Sequence, residues 1–414
     1  MTNRSIKFMH KMNVDKIKQD FPIYDDKDIL YFDSACVSFK PRQVIDAINQ
    51  YYYEYPACAG RSLHVLGNKV SDEIHRVRKN IAKFFSARKE HEVIFTRNTT
   101  EAINLVANSF DFGKDGINKG VVLTTDKEHN SNLVPWVKLA KKGIIKHKII
   151  KTNDDNSFNF DNYEALLNEG NVKLVSVNFS SNLDGISNPV KEITKLAHDH
   201  GAKVLVDAAQ AAGHKEINVK KLDIDFLASS GHKMLGPSGI GMLYGKEEAL
   251  EQLDSFLVGG DTVKDTWYDR YEPEELPERF EAGLQNYAGM LGFGAAANYL
   301  RKIGMNNIQK HELKLNRILT SNMLELPFNI IGNHDAEKRG SILTFYSDKI
   351  DAHEIGIILG TYSIMVRTGV FCLHSWFNSR NIKGAVRFSS YIYNSEDDCY
   401  KVNDFINSKL RHLL

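Results

Sequence analysis

The sequence has no excess of charge of either sign and no long apolar run. Its 53 lysines and arginines nearly balance its 52 aspartates and glutamates, leaving a formal charge of +1. Nothing in this balance favours nucleic acid or an anionic membrane as a partner. No stretch approaches the roughly 20 apolar residues of a membrane span, and the N-terminus lacks the apolar core of a signal peptide. We therefore expect a cytoplasmic protein whose partners are small molecules or other proteins.

Cysteine is scarce, and its spacing is typical of neither a zinc site nor a disulfide framework. We therefore predict no metal site, and we expect a functional cysteine to act singly, as a thiol. Cys399 lies on an apolar helix face and is interpreted as core, and Cys36 and Cys58 receive a structural interpretation. The cysteines are Cys36, Cys58, Cys372 and Cys399.

Short β-branched runs alternate with amphipathic helical segments from about residue 92 to residue 245. One helical segment, 189–201, begins with a proline and ends in a glycine, as helices often do. Strands that alternate with helices predict a mostly parallel sheet covered on both faces, which binds ligands beyond the carboxyl ends of its strands. The predicted strands are 92–96, 121–125, 172–179, 203–208 and 226–230.

The pattern changes after about residue 290 to two long helices, three strand-like pieces and a last helix capped by Ser395. We predict an α/β fold with a mostly parallel large domain and a smaller α+β C-terminal domain. The charged stretch 261–280 is predicted to be a long surface loop. The predicted division is an N-terminal arm packing on the small domain (1–30), a large ligand-binding domain (31–290) and the small domain (291–414).

Polar side chains follow several of the predicted strands. A helix start at Asn98, Thr99 and Thr100 indicates either an ordinary N-cap or a phosphate site, because free N–H groups and hydroxyls bind anions there. His129 follows the second strand and is interpreted as a cap or as a flat ring that stacks on an aromatic ligand. Asn182 follows the third strand, where a turn asparagine is the alternative.

Two further strand ends carry the chemistry that decides the ligand. Asp207 ends an apolar strand, so its carboxylate needs a cationic or N–H partner, and Gln210 follows three residues later. The run "SSGHK" supplies Ser230, His232 and Lys233 after the next strand. An anion at a helix start, a flat ring, a ring N–H and an aldehyde for the lysine together describe pyridoxal 5′-phosphate (PLP).

Ordered motifs along nearly the whole chain resemble the class V branch of fold-type I PLP enzymes, and most closely the Suf-type cysteine desulfurases, which include selenocysteine lyases. The resemblance implies a fold-type I PLP-dependent transferase in which 31–290 binds PLP and 291–414 carries a cysteine loop. The motifs are "YFDSACVSFKPRQVIDAI", "RSLHVLG", "RNTTEAINLVANS", "EHNSNLVPW", "VDAAQAAGH", "SSGHKMLGPSGIGMLYG", "RFEAGLQN", "VRTGVFC" and "AVRFSSYIYN".

The resemblance also implies a role for each candidate residue. Lys233 would bond to the PLP aldehyde and Asp207 would partner the pyridine nitrogen. Gln210 would bind the phenolic oxygen, and His129 would stack on the ring. The remaining cofactor and substrate contacts would come from Thr99, Thr100, Ser230 and His232 around the phosphate, and from Asn182, Arg367 and Arg387 around the substrate.

Cys372 distinguishes among the possible reactions. It lies in "VRTGVFCLHSW" at the position of the family's persulfide cysteine. The resemblance therefore implies a PLP-dependent cysteine desulfurase that converts L-cysteine to L-alanine, with Cys372 and Lys233 as catalytic residues. The alternatives are a selenocysteine lyase, another class V aminotransferase, epimerase or lyase, and a non-enzymatic partner subunit.

The resemblance further implies a homodimer and a sulfur-acceptor protein for iron–sulfur cluster or thio-cofactor assembly. Three features depart from the family pattern. Leu284 replaces a threonine that reaches the neighbouring subunit's phosphate, and Val370 and Phe371 replace histidines before Cys372. We hypothesise that His374 assists the thiol instead. Asp184 either disfavours anionic substrates or caps a turn.

Overall fold

The computed structural model describes residues 12–60, 62–113 and 119–411. The first eleven residues of the predicted N-terminal arm and the last three of the predicted small domain lie outside these ranges. Within them, no helix has the length and apolar character needed to cross a membrane. The described part of the arm contacts the C-terminal part of the chain, where Lys18 forms an ion pair of 2.9 Å with Asp398. The domain boundaries stay a prediction.

Amphipathic segments form helices on both faces of a central sheet and around a second, smaller sheet. Asparagine, serine or aspartate side chains cap many of the helix starts, as at Asn98 and Ser395. The α-helices are α1 (Val14–Lys18), α2 (Arg42–Glu54), α3 (Val65–Phe85), α4 (Thr99–Ser109), α5 (Asn130–Lys141), α6 (Phe160–Asn168), α7 (Val190–Asp199), α8 (Val219–Leu222), α9 (Glu247–Leu250), α10 (Tyr287–Ile303), α11 (Met305–Met323), α12 (Ala352–Gly360), α13 (His374–Ser379) and α14 (Glu396–Phe405).

Strands form where β-branched and aromatic residues cluster. Ile364–Met365 and Arg367–Gly369 are two short strands within 363–369, which is one of the three strand-like pieces of the sequence. The strands are β1 (Leu30–Tyr31), β2 (Val93–Thr96), β3 (Val121–Thr125), β4 (Lys146–Ile150), β5 (Val172–Asn178), β6 (Lys203–Asp207), β7 (Phe226–Ser230), β8 (Gly241–Gly245), β9 (Val263–Thr266), β10 (Tyr271–Pro273), β11 (Asn329–Ile330), β12 (Ile342–Tyr346), β13 (Ile364–Met365), β14 (Arg367–Gly369) and β15 (Ala385–Ser389).

The central sheet has seven strands in the order β2-β8-β7-β6-β5-β3-β4. Its inner pairs from β4 to β7 are parallel, and β8 runs antiparallel to both of its neighbours. Side chains alternate between the two covered faces: Val204 and Val206 pack into one apolar cluster and Leu205 into the other. The prediction of a mostly parallel, doubly covered sheet is confirmed.

A second sheet of four antiparallel strands has the order β11-β12-β15-β14. It packs with α11, α12 and α14 around its own apolar cluster, in which Cys399 is fully buried as predicted. The stretch 261–280 is not only a loop, because β9 and β10 form an antiparallel hairpin within it. The sequence did not predict these strands because charged, exposed residues replace the alternation of apolar and polar residues that is typical of a strand.

Candidate active site

A cavity of about 470 Å³ opens at the carboxyl ends of the central strands. This is the edge where a parallel sheet collects the side chains that follow its strands. The structure brings every predicted site residue to its wall: Thr99, Thr100, His129, Asn182, Asp207, Gln210, Ser230, His232, Lys233, Arg367, Cys372 and Arg387.

One end of the cavity is the start of α4. Asn98 caps the helix by accepting a hydrogen bond from the Glu101 N–H, so the predicted N-cap is present. The Thr99 N–H donates to Ser230 Oγ over 2.9 Å, and the two hydroxyl oxygens lie 2.7 Å apart. The Thr100 hydroxyl lies 2.7 Å from Ser131 Oγ. Because these hydroxyls surround the positive end of a helix of eleven residues, they suit an anion.

Asp207 and Lys233 form the floor of the cavity. Asp207 is the last residue of β6 and is buried, and its Oδ1 accepts the Ala209 N–H at 2.9 Å. Burial raises the pKa of this carboxyl above its ordinary value. Burial also lowers the pKa of Lys233, which ends the short 3₁₀ turn after β7 (231–233), although the Asp207 carboxylate opposes that shift. The floor therefore pairs an acid and a base, each shifted towards its neutral form.

His129 and His232 lie around this floor as neutral rings. Burial, with a further contribution from nearby Lys233, lowers the pKa of His129 to about 3 and that of His232 to about 4. Nδ1 of His129 accepts the Ser131 N–H at 3.1 Å, so this histidine caps α5 and also lines the cavity. Both sequence interpretations of His129 are thus compatible with its position.

Arg387 occupies the wall towards the second sheet. It is 3% exposed on β15, and its Nη1 donates to the Asn182 carbonyl over 2.9 Å. Its Nη2 lies 3.4 Å from Asp33 Oδ1. Burial lowers the pKa of Arg387 and raises that of Asp33. The attraction between the two groups opposes both shifts, because each charge favours the charged form of the other. A buried guanidinium on a cavity wall suits a carboxylate ligand.

Cys372 lies at the rim of the cavity and is exposed. It and Phe371 both have left-handed backbones, with φ of +59° and +48°, which is unusual for two consecutive residues other than glycine. The Asn130 N–H donates to the Cys372 carbonyl over 2.8 Å and fixes the turn. His374 also lines the cavity, and its Nδ1 lies 3.1 Å from the Asn130 amide nitrogen.

Sequence reasoning missed several residues of this site. Cys36 lines the cavity, a position that its structural interpretation did not predict. Asp33 pairs with Arg387 across more than 350 positions of sequence, which no local pattern indicates. Gly241 is required because a Cβ there would lie 2.5 Å from the Ser229 carbonyl and 2.7 Å from the Asn98 Cα. Only the "GIG" run could have pointed to this close packing.

Asp184 lies in the interior and is not among the residues that line the cavity. It is fully buried, and its Oδ2 forms an ion pair of 3.1 Å with the buried ammonium of Lys127. Its Oδ1 accepts the Ile186 N–H at 3.1 Å, which agrees with the turn-capping interpretation. The side-chain amide of Asn156 donates to Asp184 Oδ2 over 3.0 Å. The backbone carbonyl of Asn156 accepts a hydrogen bond from the Lys127 ammonium over 2.7 Å. The negative charge of Asp184 is therefore compensated.

Comparison with known proteins agrees with this geometry. The aminotransferase class-V family matches residues 30–402. A probable cysteine desulfurase of Synechocystis is 37% identical over 389 residues, covering 92% of each chain. The cysteine desulfurase of Haloferax volcanii is 34% identical, covering 96% of this chain and 97% of its own.

Two solved structures share the fold. The apo structure of cysteine desulfurase from Thermococcus onnurineus NA1 has a TM-score of 0.91 at 36% identity, covering 97% of this chain and 98% of its own. The cysteine desulfurase CsdA (S-sulfonic acid) from Escherichia coli has a TM-score of 0.89 at 28% identity, covering 97% and 99%.

The fold and the comparisons together define the class: a fold-type I architecture with a mostly parallel large sheet. The chain belongs to the aminotransferase class-V family. Both the predicted fold class and the predicted family are confirmed, with relatives named cysteine desulfurase. The roles of the individual site residues stay predictions.

Proposed function

We propose that this protein is a PLP-dependent cysteine desulfurase that converts L-cysteine to L-alanine and leaves a persulfide on Cys372. The observation that carries the proposal is the cavity itself, where a thiol at the rim faces a partly buried lysine and a buried carboxylate on the floor. The names of the relatives at 34–37% identity support the same activity.

The residues present fit PLP by the chemistry of their donors. Asp207 is a buried carboxylate whose raised pKa calls for an N–H or cationic partner, which a protonated ring nitrogen supplies. The start of α4, with Thr99 and Ser230, would hold the phosphate, and the neutral ring of His129 would stack on the pyridine. When bound, PLP acts as an electron sink for bond breaking at the substrate α-carbon.

The remaining cofactor contacts follow from side chains that still have free donors. The Gln210 amide donates one N–H to the Ala35 carbonyl over 2.8 Å, and its second N–H is available for the phenolic oxygen. His232 and the Thr100 hydroxyl line the phosphate end of the cavity. We assign these residues, with Asn182, to cofactor binding.

Lys233 is the base in this mechanism. Its lowered pKa increases the neutral fraction of its amine near neutral pH, and the neutral amine is the form that accepts a proton. Lys233 Nζ removes the α-proton of the substrate and later returns a proton to the carbon skeleton. Arg387 meanwhile binds the substrate carboxylate, with the exposed Arg367 nearby on the same sheet.

Cys372 is the nucleophile. Its thiolate attacks the substrate sulfur, an S–S bond forms, and the C–S bond breaks with its electron pair left on the carbon skeleton. That skeleton takes up a proton and leaves as alanine. The exposed position of Cys372 suits transfer of the sulfur to an acceptor protein, for iron–sulfur cluster or thio-cofactor assembly.

Exposed apolar residues support the proposed homodimer. Leu284 is 74% exposed, and Leu257 and Val258 on the neighbouring stretch are also exposed. Large apolar side chains in such positions are typical of surfaces buried by a partner. We place the protein in the cytoplasm, where thiols such as its four free cysteines stay reduced.

The test is mass spectrometry of the holoenzyme after incubation with L-cysteine and without reductant. We expect one added sulfur atom on Cys372 and stoichiometric alanine. Cys372→Ser should bind PLP normally and yield no alanine from cysteine, with Cys58→Ser, at a partly exposed cysteine that is not among the cavity residues, as the control. Full activity of Cys372→Ser on cysteine would exclude the persulfide step. Activity retained only on selenocysteine would favour a selenocysteine lyase.

A further inference from the structure

Phe371, Arg387 and Asn182 form a closed set of contacts on the wall of the cavity. The Arg387 guanidinium carbon lies 4.8 Å from the centre of the Phe371 ring. Arg387 Nη1 donates to the Asn182 carbonyl over 2.9 Å, and the Asn182 amide donates to the Phe371 carbonyl over 2.8 Å. The aromatic ring and the hydrogen bonds therefore hold the guanidinium from two directions.

The Phe371 ring is itself held firmly. It is 8% exposed and packs edge to face on Phe377, with ring centres 5.9 Å apart. Leu183 and Trp376 belong to the same apolar cluster, which anchors α13 against the turn. A ring with this support provides a fixed surface for the guanidinium.

The orientation of Arg387 needs such a surface. Its Nε is buried without a hydrogen-bond partner in the part of the chain that the structure describes. Its Nη2 contact to Asp33 is long, at 3.4 Å. Burial lowers the pKa of Arg387, so contacts that favour its charged form are needed, and the negative face of an aromatic ring is one of them.

We infer that Phe371 is a positioning residue: its ring orients Arg387 for the α-carboxylate of the substrate, and its backbone ties this clamp to the adjacent nucleophile. This inference rests on the proposed function, because it assigns Arg387 to the substrate carboxylate. Cys372 follows Phe371 directly, and both backbones are left-handed. Carboxylate recognition and the placement of the thiol thus depend on the same turn. The site selects amino acids over amines that lack the carboxylate.

The alternative to a positioning role is that Phe371 only fills space in its apolar cluster. Phe371→Leu keeps an apolar side chain in the cluster and removes the aromatic face. Phe371→Trp restores an aromatic face. Ile331→Ala is the matched control, because Ile331 is a buried aliphatic member of the same cluster.

The experiment is calorimetry of the holoenzyme with L-alanine and with ethylamine, its analogue without a carboxylate, together with KM and kcat for L-cysteine. For Phe371→Leu we expect L-alanine affinity to fall roughly 3- to 30-fold, the equivalent of a desolvated cation–π contact. The KM for cysteine should rise similarly and kcat should change less, with ethylamine binding unaltered. Phe371→Trp should recover most of the affinity.

Equal losses for alanine and ethylamine, or the same loss in Ile331→Ala, would overturn the positioning role in favour of packing. An unchanged alanine affinity would also overturn it. If Phe371→Leu does not fold, Phe371→Met carries the same comparison. If alanine binding depends on Phe371 but no persulfide forms on Cys372, the proposed desulfurase reaction fails. The role of Phe371 in orienting Arg387 for a carboxylate then still stands.

Discussion

The floor of the cavity and its rim differ in how their charged groups meet water. On the floor, Asp207 is 4% exposed and Lys233 is partly buried, and burial shifts both of their pKa values. At the rim, Arg367 has a half-exposed side chain and Cys372 is exposed. The floor therefore controls protonation through its low-dielectric surroundings, whereas the groups at the rim stay in contact with solvent.

The strongest test of this difference is the floor lysine. Lys233→Ala removes the proposed base, and we expect alanine formation to fall by at least roughly 10³-fold. Lys220→Ala on α8 removes an exposed lysine and should leave activity unchanged. Alanine release by the two purified holoenzymes is the measurement. Substantial activity in Lys233→Ala would transfer the role of base to another group.

A sharper comparison comes from two arginines that face each other across paired strands. Arg387 on β15 and Arg367 on β14 are direct partners in the sheet, but only Arg387 is buried. Arg387→Ala should raise KM for cysteine roughly 10- to 150-fold, the value of a hydrogen bond to a charged group. Arg367→Ala should raise it less than about 5-fold, as for an exposed ion pair. Equal effects would show that both arginines bind the substrate.

The smallest expected effect lies outside the cavity. His147 on β4 has its Nε2 2.9 Å from Thr124 Oγ1, and burial lowers its pKa to about 4. Because the unfolded state binds more protons between about pH 4 and 6.5, this group lowers the free energy of unfolding as the pH falls through that range.

His147→Gln should therefore make that free energy less dependent on pH, by less than about 1.4 kcal/mol per pH unit. Chemical denaturation at several pH values measures the slope. The comparison at pH 8, where His147 is neutral in both states, controls for altered packing. An unchanged slope would contradict the titration assigned to His147.

The sequence could predict the floor because its residues end a strand or lie within three positions of one, and the hydrophobic pattern of those strands is local. Asp207 ends the apolar run "KVLVD", and Lys233 follows "FLASS", so topology alone brings them together. The rim was harder to predict. The pairing of Asp33 with Arg387 and the place of Cys36 depend on the N-terminal segment crossing to the second sheet, and local periodicity carries no information about that crossing.

The strands that the sequence predicted and those that it missed differ in the same way. β3 and β7 have the bounds that their short apolar runs predict. β8 was missed because its "GMLYG" sequence places glycine at both ends, where close packing rather than strand propensity selects the residue. The β9–β10 hairpin was missed because its strands are exposed and charged.

The buried pair of Lys127 and Asp184 limits which substitutions this sequence can accept during evolution. Loss of either partner leaves an unpaired charge in the interior, at a cost of about 3–5 kcal/mol, which is a large part of the stability of a typical domain. Replacement of both by apolar residues of similar volume is tolerated far better. Descendants of this chain are therefore expected to keep both residues or to exchange both, with single replacements removed by selection.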